Sequence, residues 1–313
     1  MINLENSILN ICENNFEYLI ALKNVNGIGL GFKYINEINT FEPCIHVLVE
    51  KKISSKYLTS NNIIPKTYMG IKTDVINVGV MEAFSSDNLR SRVRPIKGGY
   101  SVGSQMPDGT FKSGTITCIV QKKIKDKVEF FILGNNHVLA GSNEIPIGSK
   151  IIQPSDTDGG KIKDTIGVLS NFIKIKKENI FYAPNNYVDC AIAKIDSSLV
   201  SSYIGEIGKL NGVGKASLGL EVVKVGKMTG LTRGTIKTIG ATVISIINKD
   251  FALFKKQIVV KTSSINGDSG APLLNSSNEI LGLLMTANSS TGTSTFNDIN
   301  LVLKALKVDL YLD

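Results

Sequence analysis

From residue 116 to residue 285 the chain is cut into short apolar runs, and that punctuation restricts the folds open to it more than any other feature. Ile116 to Val120, Glu129 to Leu133, Ile166 to Leu169, Val188 to Ile195, Leu220 to Val225, Thr242 to Ile247, Gln257 to Val260 and Ile280 to Met285 are each four to eight residues long. Runs of that length, rich in Ile and Val and bounded by Gly, Asn and Asp, predict strands rather than helices. Many short strands with few helices make a sandwich or barrels. The 29 glycines against 8 prolines suit a chain of many tight turns.

Two segments follow a helical period instead. Leu4, Ile8, Ile11, Cys12, Phe16, Leu19 and Ile20 recur mostly at three- and four-residue intervals, predicting an amphipathic helix over about 4–22. Ile299, Val302, Leu303 and Leu306 do the same, predicting a terminal helix over about 298–306 docked on the last strands. Between the first helix and residue 90, Val25 to Phe32, Ile45 to Val49 and Ile71 to Val80 read as strands. In the second, Ile45, Val47 and Val49 share one face, and Cys44, His46 and Leu48 the other. Gly27-Ile28-Gly29-Leu30-Gly31 has neither a following Gly-Lys-Ser/Thr nor a helix opening at its third glycine, so it reads as a Gly-rich strand and not a nucleotide loop. The polar stretch Ser85 to Arg92, before Pro95, reads as a linker. At about 150 residues per domain, 313 residues accommodate two. The expected division is a small α+β domain over 1–90 and a mainly β domain over 95–313.

The formal charge is +8, but the lysines are dispersed. Their densest runs, Lys122 to Lys127 and Lys174 to Lys177, flank strand-like segments, as solvated hairpin ends do. No nucleic-acid partner is expected. The four cysteines, Cys12, Cys44, Cys118 and Cys190, are far apart without a Cys-x-x-Cys; Cys118 and Cys190 sit in apolar runs as buried thiols. The residues after Met1 have no basic and then apolar leader, and the longest apolar stretch, Ile280 to Ala287, falls far short of the ~20 residues of a membrane span. A cytoplasmic protein with reduced thiols and no membrane partner is the expectation.

The sharpest motif is Gly267-Asp268-Ser269-Gly270-Ala271-Pro272. A serine hydroxyl needs a base to take its proton and donors to hold the oxyanion it creates. Flanking glycines let the chain turn so that the amides of Gly267 and Ser269 converge. Of the two histidines, His46 reads as a strand residue, whereas His137 follows an apolar strand at Gly134-Asn135-Asn136, where a base can meet a substrate. Asp189 opens the apolar run Val188 to Ile195, where an unpaired charge is costly. Together they supply a base, a carboxylate to orient it and a nucleophile, in the order His, Asp, Ser.

With these residues the sequence resembles the chymotrypsin-like (PA clan) serine peptidases. Gly267 to Pro272 matches their nucleophile motif, with Ala271 where a third glycine is commoner. Asn135-Asn136-His137-Val138 and Val188 to Ile195 are similar to the histidine and aspartate motifs of the Deg/HtrA branch. Gly226-Lys227-Met228-Thr229-Gly230 resembles the streptogrisin-like and bacterial trypsin-like peptidases. The residues before about 90 resemble, through Ile64-Pro65, Gly70 to Val75 and Arg94-Pro95, a unit that precedes the peptidase in a group of bacterial trypsin-like proteins. The resemblance implies two packed six-stranded antiparallel β-barrels, about 95–205 and 206–296, with the site in the cleft between them.

It also implies a function: a serine endopeptidase acting through an acyl-enzyme, with His137, Asp189 and Ser269 as triad and the Gly267 and Ser269 amides as oxyanion hole. Bacterial relatives pair the aspartate before the nucleophile with an internal basic residue, here Lys224 for Asp268. The segment Pro95-Ile96-Lys97-Gly98-Gly99 matches poorly the cleaved terminus that animal members use instead. The position that selects basic substrates by an acid is here Ser263, and Thr286 and Ala287 stand on the later pocket wall, so a small or apolar residue is expected at the cleavage site. Protein or peptide is the expected partner. A serine esterase or amidase, or a non-catalytic binding or scaffold protein on the same fold, are the alternatives. No cofactor and no metal are expected, because two histidines and scattered cysteines make no recognisable zinc set, and Asp156-Thr157-Asp158-Gly159-Gly160 lacks the spaced acids of a calcium loop. Oligomeric state and natural substrate leave no mark on the sequence.

Overall fold

The computed structural model describes residues 4–36, 38–59, 62–79, 88–125, 127–177, 185–247 and 250–313. It divides into two compact units, Met1–Ser85 and Ser86–Asp313. The first part of the 85–92 linker reading lies outside the described residues.

In the first unit the expected single helix is two: α1 (Leu4–Asn14) and α2 (Glu17–Ile20). Asn14 and Asn15, whose side chains compete for backbone bonds, end the first. The period nevertheless survives the break, because Ile8, Ile11, Leu19 and Leu22 are all buried against Ile45 and Val47. These last lie in β2 (Ile38–Val49), which pairs antiparallel with β1 (Val25–Ile35) and parallel with β4 (Ile71–Asn77); β3 (Thr67–Tyr68) completes the order β1-β2-β4-β3. The parallel register sets His46 opposite Asp74.

The second unit is built on two sheets. The first comprises β5 (Ser101–Gln105), β6 (Phe111–Thr115), β7 (Cys118–Ile124), β8 (Lys127–Gly134), β9 (Lys150–Ile152), β10 (Thr165–Phe172) and β12 (Ala191–Ile195), joined from the chain's end by β22 (Asp309–Leu310). After β8 comes the short helix α3 (Asn136–Leu139). The second sheet takes the two-residue β11 (Asn185–Asn186) and β15 (Gly212–Val213), and the six strands β16 (Glu221–Gly226), β17 (Gly230–Ile247), β18 (Asp250–Lys261), β19 (Pro272–Leu274), β20 (Glu279–Asn288) and β21 (Thr293–Asp298). In chain order between β12 and β15 come β13 (Tyr203–Ile204) and β14 (Gly208–Lys209), which form a two-stranded sheet of their own. Each sheet therefore has eight strands where six were expected. In the first, the two-residue β22 is an addition, and β6 and β7, consecutive in the chain, stand near opposite ends of the pairing order; in the second, β11 and β15 are short parallel additions.

Alternation explains why several strands read as unbroken apolar runs. Ile119, Ile132, Ala191 and Ala193 fill the interior of the first sheet, while their neighbours Cys118, Val120, Leu133, Cys190 and Ile192 point the other way into a core shared with the second sheet. Strands buried on both faces carry no polar alternation. Helix α4 (Ile299–Leu306) adds Val302 and Leu306 to that shared core; the Asp298 carboxylate caps its first turn by accepting from the Asn300 amide. All four cysteines are unpaired, with Cys44, Cys118 and Cys190 buried. Among the described residues no helix is long and apolar enough to cross a membrane.

Candidate active site

His137 stands where β8 gives way to the single turn of α3, and two buried asparagines fix that turn. Asn135 donates its side-chain amide to the carbonyl of Asp189 at 2.9 Å, and its own carbonyl caps the Leu139 amide. Asn136 donates to Asn143 Oδ1 and to the Ile173 carbonyl. The Asn-Asn before the histidine is thus the local reason for its position. Asp189 is wholly buried and binds His137 twice: Oδ2 lies 2.5 Å from Nδ1, and Oδ1 accepts the His137 main-chain amide at 3.1 Å. A carboxylate only accepts, so Nδ1 carries the proton and Nε2 is left with a lone pair. The Asp189 amide in turn donates to Asn297 Oδ1 at 2.7 Å, and Asn297 donates to Gln257 Oε1 at 2.6 Å, so the first sheet's acid is steadied by two buried amides of the second.

Ser269 sits on the turn before β19. Gly267 and Gly270 have φ of 102° and 94°, in the left-handed region that favours glycine. Along the turn, the Asp268 amide donates to the Ile265 carbonyl and that of Gly270 to the Leu284 carbonyl. Among the described residues the amides of Gly267 and Ser269 take no protein acceptor. The first sheet holds the turn from the other side: Thr115 N–H donates to the Ser269 carbonyl at 2.8 Å, Thr115 Oγ1 to that of Gly267 at 2.9 Å, and Thr117 Oγ1 to that of Gly270 at 2.7 Å.

Asp268 points away into a buried nest. It accepts from the amides of Met228, Thr229 and Ile265 and from Thr229 Oγ1, and its Oδ2 lies 3.7 Å from Lys224 Nζ. Lys224 also donates to Thr229 Oγ1 at 2.6 Å, so the hydroxyl relays between ammonium and carboxylate. Both charged groups are fully buried. Burial pushes the Lys224 ammonium below its ordinary pKa against the opposing pull of Asp268 and Glu206. A Cβ on Gly226 would lie 2.3 Å from Asp268 Oδ1, which is why the hairpin that wraps this carboxylate opens with glycine.

His137 and Ser269 line one cleft of about 1020 Å³, together with Thr286 and Ala287. Ser263, expected in that wall, is exposed and outside the lining; its neighbour Ser264 lines the cleft and is buried, accepting from Ser294 Oγ. One residue of offset is enough, since neighbouring side chains along an extended chain point to opposite sides. No Asp, Glu, Lys or Arg among the described residues lines the cleft.

Sequence reasoning passed over Thr115, Thr117 and Asn297, which act across the two sheets. The polar alternation Ser113, Thr115, Thr117 inside a buried strand was the available signal; Asn297 left none. It also passed over a buried pair, Lys227 with Asp158 at 2.6 Å. Asp158 further accepts from Arg90, Ser101 and Ser155. Burial alone would raise its carboxyl, but the bonds from Lys227, Ser101, Arg90 and Ser155 hold it at about 2. The Asp156–Asp158 segment is accordingly a turn, closed at Gly159 with φ of 86°.

Comparison with known proteins bears on each unit separately. Residues 8–81 match the family described as NARROW LEAF 1 N-terminal domain. No curated protein matches the chain. Among solved structures, Thermobifida fusca protease A is 18% identical with a TM-score of 0.51, over 70% of this chain and 99% of that one. Cellulomonas bogoriensis chymotrypsin is 18% identical with a TM-score of 0.48, over 70% and 99%. Nocardiopsis protease is 17% identical with a TM-score of 0.49, over 69% and 98%. At such identity the likeness to the Thermobifida enzyme speaks for fold alone, and the fold is that of the chymotrypsin-like serine proteases.

Proposed function

We propose that this chain is a serine endopeptidase that hydrolyses peptide bonds through an acyl-enzyme. The observation that carries the reading is the double hold of one buried carboxylate on one histidine: Asp189 takes both the ring Nδ1–H and the main-chain amide of His137, on the border of the cleft that Ser269 also lines. Nε2 then faces the reaction as the base. It takes the proton from Ser269 Oγ as that oxygen adds to the substrate carbonyl, and returns it to the departing amine; water repeats the cycle on the ester. The oxyanion is received by the amides of Gly267 and Ser269, which donate to no protein acceptor among the described residues. One such donor is worth about 3 kcal/mol of barrier.

Lys224 acts in this reading as the internal cation that holds Asp268, and with it the oxyanion turn, without a newly cut amino terminus. The packing of Ile96 supports it. That residue is fully buried in the first sheet's core, with its amide bonded to the Leu199 carbonyl, and Gly98 and Gly99 are bonded on to Tyr203 and Ile116. The cleft, lined by no Asp, Glu, Lys or Arg among the described residues and with Thr286, Ala287 and Ser264 in its wall, suits a small or apolar residue before the scissile bond.

A fluorophosphonate probe on the intact, uncut chain tests both points. Labelling of the wild type, lost in Ser269→Ala with the circular dichroism unchanged, is the expected result. Labelling that persists in Ser269→Ala removes the nucleophile assignment, and labelling that begins only after a cut near residue 95 removes the role of Lys224. A folded wild type that neither labels nor cleaves peptides is a binding scaffold; one that labels but turns over only esters is an esterase.

A further inference from the structure

The first unit holds a cluster that the peptidase chemistry does not use. Donor atoms of Cys44, His46 and Asp74 lie within 4.8 Å of one another. Local structure explains how three residues scattered in sequence meet. Cys44 and His46 are two apart on β2, so they share the face turned away from the helices, and the parallel register brings Asp74 of β4 beside His46. On the other flank β1 offers glycine: Gly31 is opposite Cys44, and a Cβ there would fall 2.2 Å from the His46 ring. The Gly-rich strand thus serves to let an imidazole lie flat across it. His46 Nε2 is 2.8 Å from the Phe32 carbonyl, which can only accept, so Nε2 is the protonated nitrogen and Nδ1 keeps the lone pair. A backbone carbonyl that fixes one ring nitrogen as the donor is the usual outer support of a metal-binding histidine. The Asp74 carboxylate is likewise aimed, by the Tyr34 amide at 2.7 Å.

We propose that Cys44, His46 and Asp74 bind a zinc ion, with the fourth position open to water or an exogenous ligand. The donor set decides the class of ion: one sulfur, one imidazole nitrogen and one carboxylate oxygen suit a tetrahedral, borderline-soft dication, not calcium or magnesium. A thiolate and a carboxylate balance its two charges, and the thiol proton is released on binding. Lys33 Nζ now lies 3.2 Å from Asp74 Oδ1 and 3.0 Å from the Thr73 carbonyl, so a half-buried ammonium neutralises the carboxylate that the dication would take over. Zinc here would cross-link β2 to β4 in a unit whose buried apolar core is small, the situation in which small domains recruit a metal.

Cobalt(II) titrated into the full chain, freed of metal by chelator dialysis, provides the test. One equivalent should produce the intense visible bands of a tetrahedral ion and a near-ultraviolet thiolate-to-cobalt band, both erased by zinc. Cys44→Ser should lose the thiolate band, and Asp74→Asn, which removes a direct ligand, should weaken binding by more than the about 10- to 100-fold that losing an outer-shell partner costs. Lys33→Met keeps all three donors and removes the competing cation, so it should bind more tightly than wild type. That variant guards against a ligand substitution that merely unfolds the unit. No thiolate band in wild type or Lys33→Met, a band that survives Cys44→Ser, or unchanged affinity in Lys33→Met overturns the site. Fluorophosphonate labelling at Ser269 reads none of this, so the two proposals stand or fall apart.

Discussion

A serine hydroxyl proposed as a nucleophile can act only if the chain on either side of it is held still, and here the holding is done by residues of the other sheet. Thr115 is the clearest instance. Its amide and hydroxyl bind the carbonyls of Ser269 and Gly267, and its Oγ1 also accepts from the Lys227 amide, so one residue joins the Ser269 turn to the hairpin around Asp268. Thr115→Val preserves the shape and deletes the hydroxyl. It leaves a buried carbonyl and amide short of a partner, at about 1–3 kcal/mol each. If the turn's amides act on the transition state, the loss should fall on kcat with KM little changed, measured on a peptide substrate; a change in KM alone would assign Thr115 to binding instead. The three members of the proposed triad were legible because each sits in a local pattern: a glycine-flanked serine, an acid opening an apolar run, a histidine after a strand. Lys224 was legible only through the resemblance to bacterial relatives, and it stands 3.7 Å from Asp268. Thr115, Thr117 and Asn297 were not, because their partners are more than 100 residues away in sequence and hydrogen bonds of that range follow from the fold.

At the scale of elements, the strands were easier to find than to bound. Thr242 to Ile247 and Gln257 to Val260 belong to β17 and β18, of 18 and 12 residues, whose hairpin runs far beyond the apolar stretches that announced it. Its outer half alternates Ile244 and Ile246, exposed, with Val243 and Ile247, turned inward. Around the middle lies Lys237 to Ala241, polar or small except for the exposed Ile239, with Gly240 at φ of 68° and pairing irregularities, which hid the continuity. The inward residues form a small core of their own with Ile175, Ala252, Phe254 and Met285. Met285, Ile244 and Ile247 also border the cleft, so this satellite core is the backing of a cleft wall. Phe254 is fully buried in it. Phe254→Ala should cost about 3–5 kcal/mol where it stands. The hairpin should loosen before the sheets unfold, giving faster amide hydrogen exchange over residues 243–254 and a raised KM, with Ser269 still labelled by fluorophosphonate. Loss of labelling together with loss of fold would mean that the hairpin is integral to the second sheet.

For the second unit as a whole, the decisive fact is that its two sheets meet through charged and hydroxyl groups as well as through apolar packing. Lys227, on the hairpin that wraps Asp268, reaches into the first sheet to Asp158, Ser113 and Ser155, and it is nearly buried. A buried ion pair of this kind adds little net stability, but removing one partner leaves the other charged and unsolvated. Its sign with pH follows from the carboxyl. Asp158 is held at about 2 in the folded protein, below the ~3.9 of an unfolded aspartate. Between those values the unfolded chain binds the extra proton, so the contribution of Asp158 is complete above about pH 4 and is lost as pH falls through about 2. Asp158→Asn removes that titration and strands the Lys227 ammonium. The variant should be the less stable protein at pH 5, in urea midpoint, and its midpoint should fall less steeply towards pH 2, so that the two curves converge. Other carboxylates titrate in the same range in both proteins and cancel in the difference. Parallel curves would mean that Asp158 carries no linked proton and that the sheets are joined by their apolar core alone.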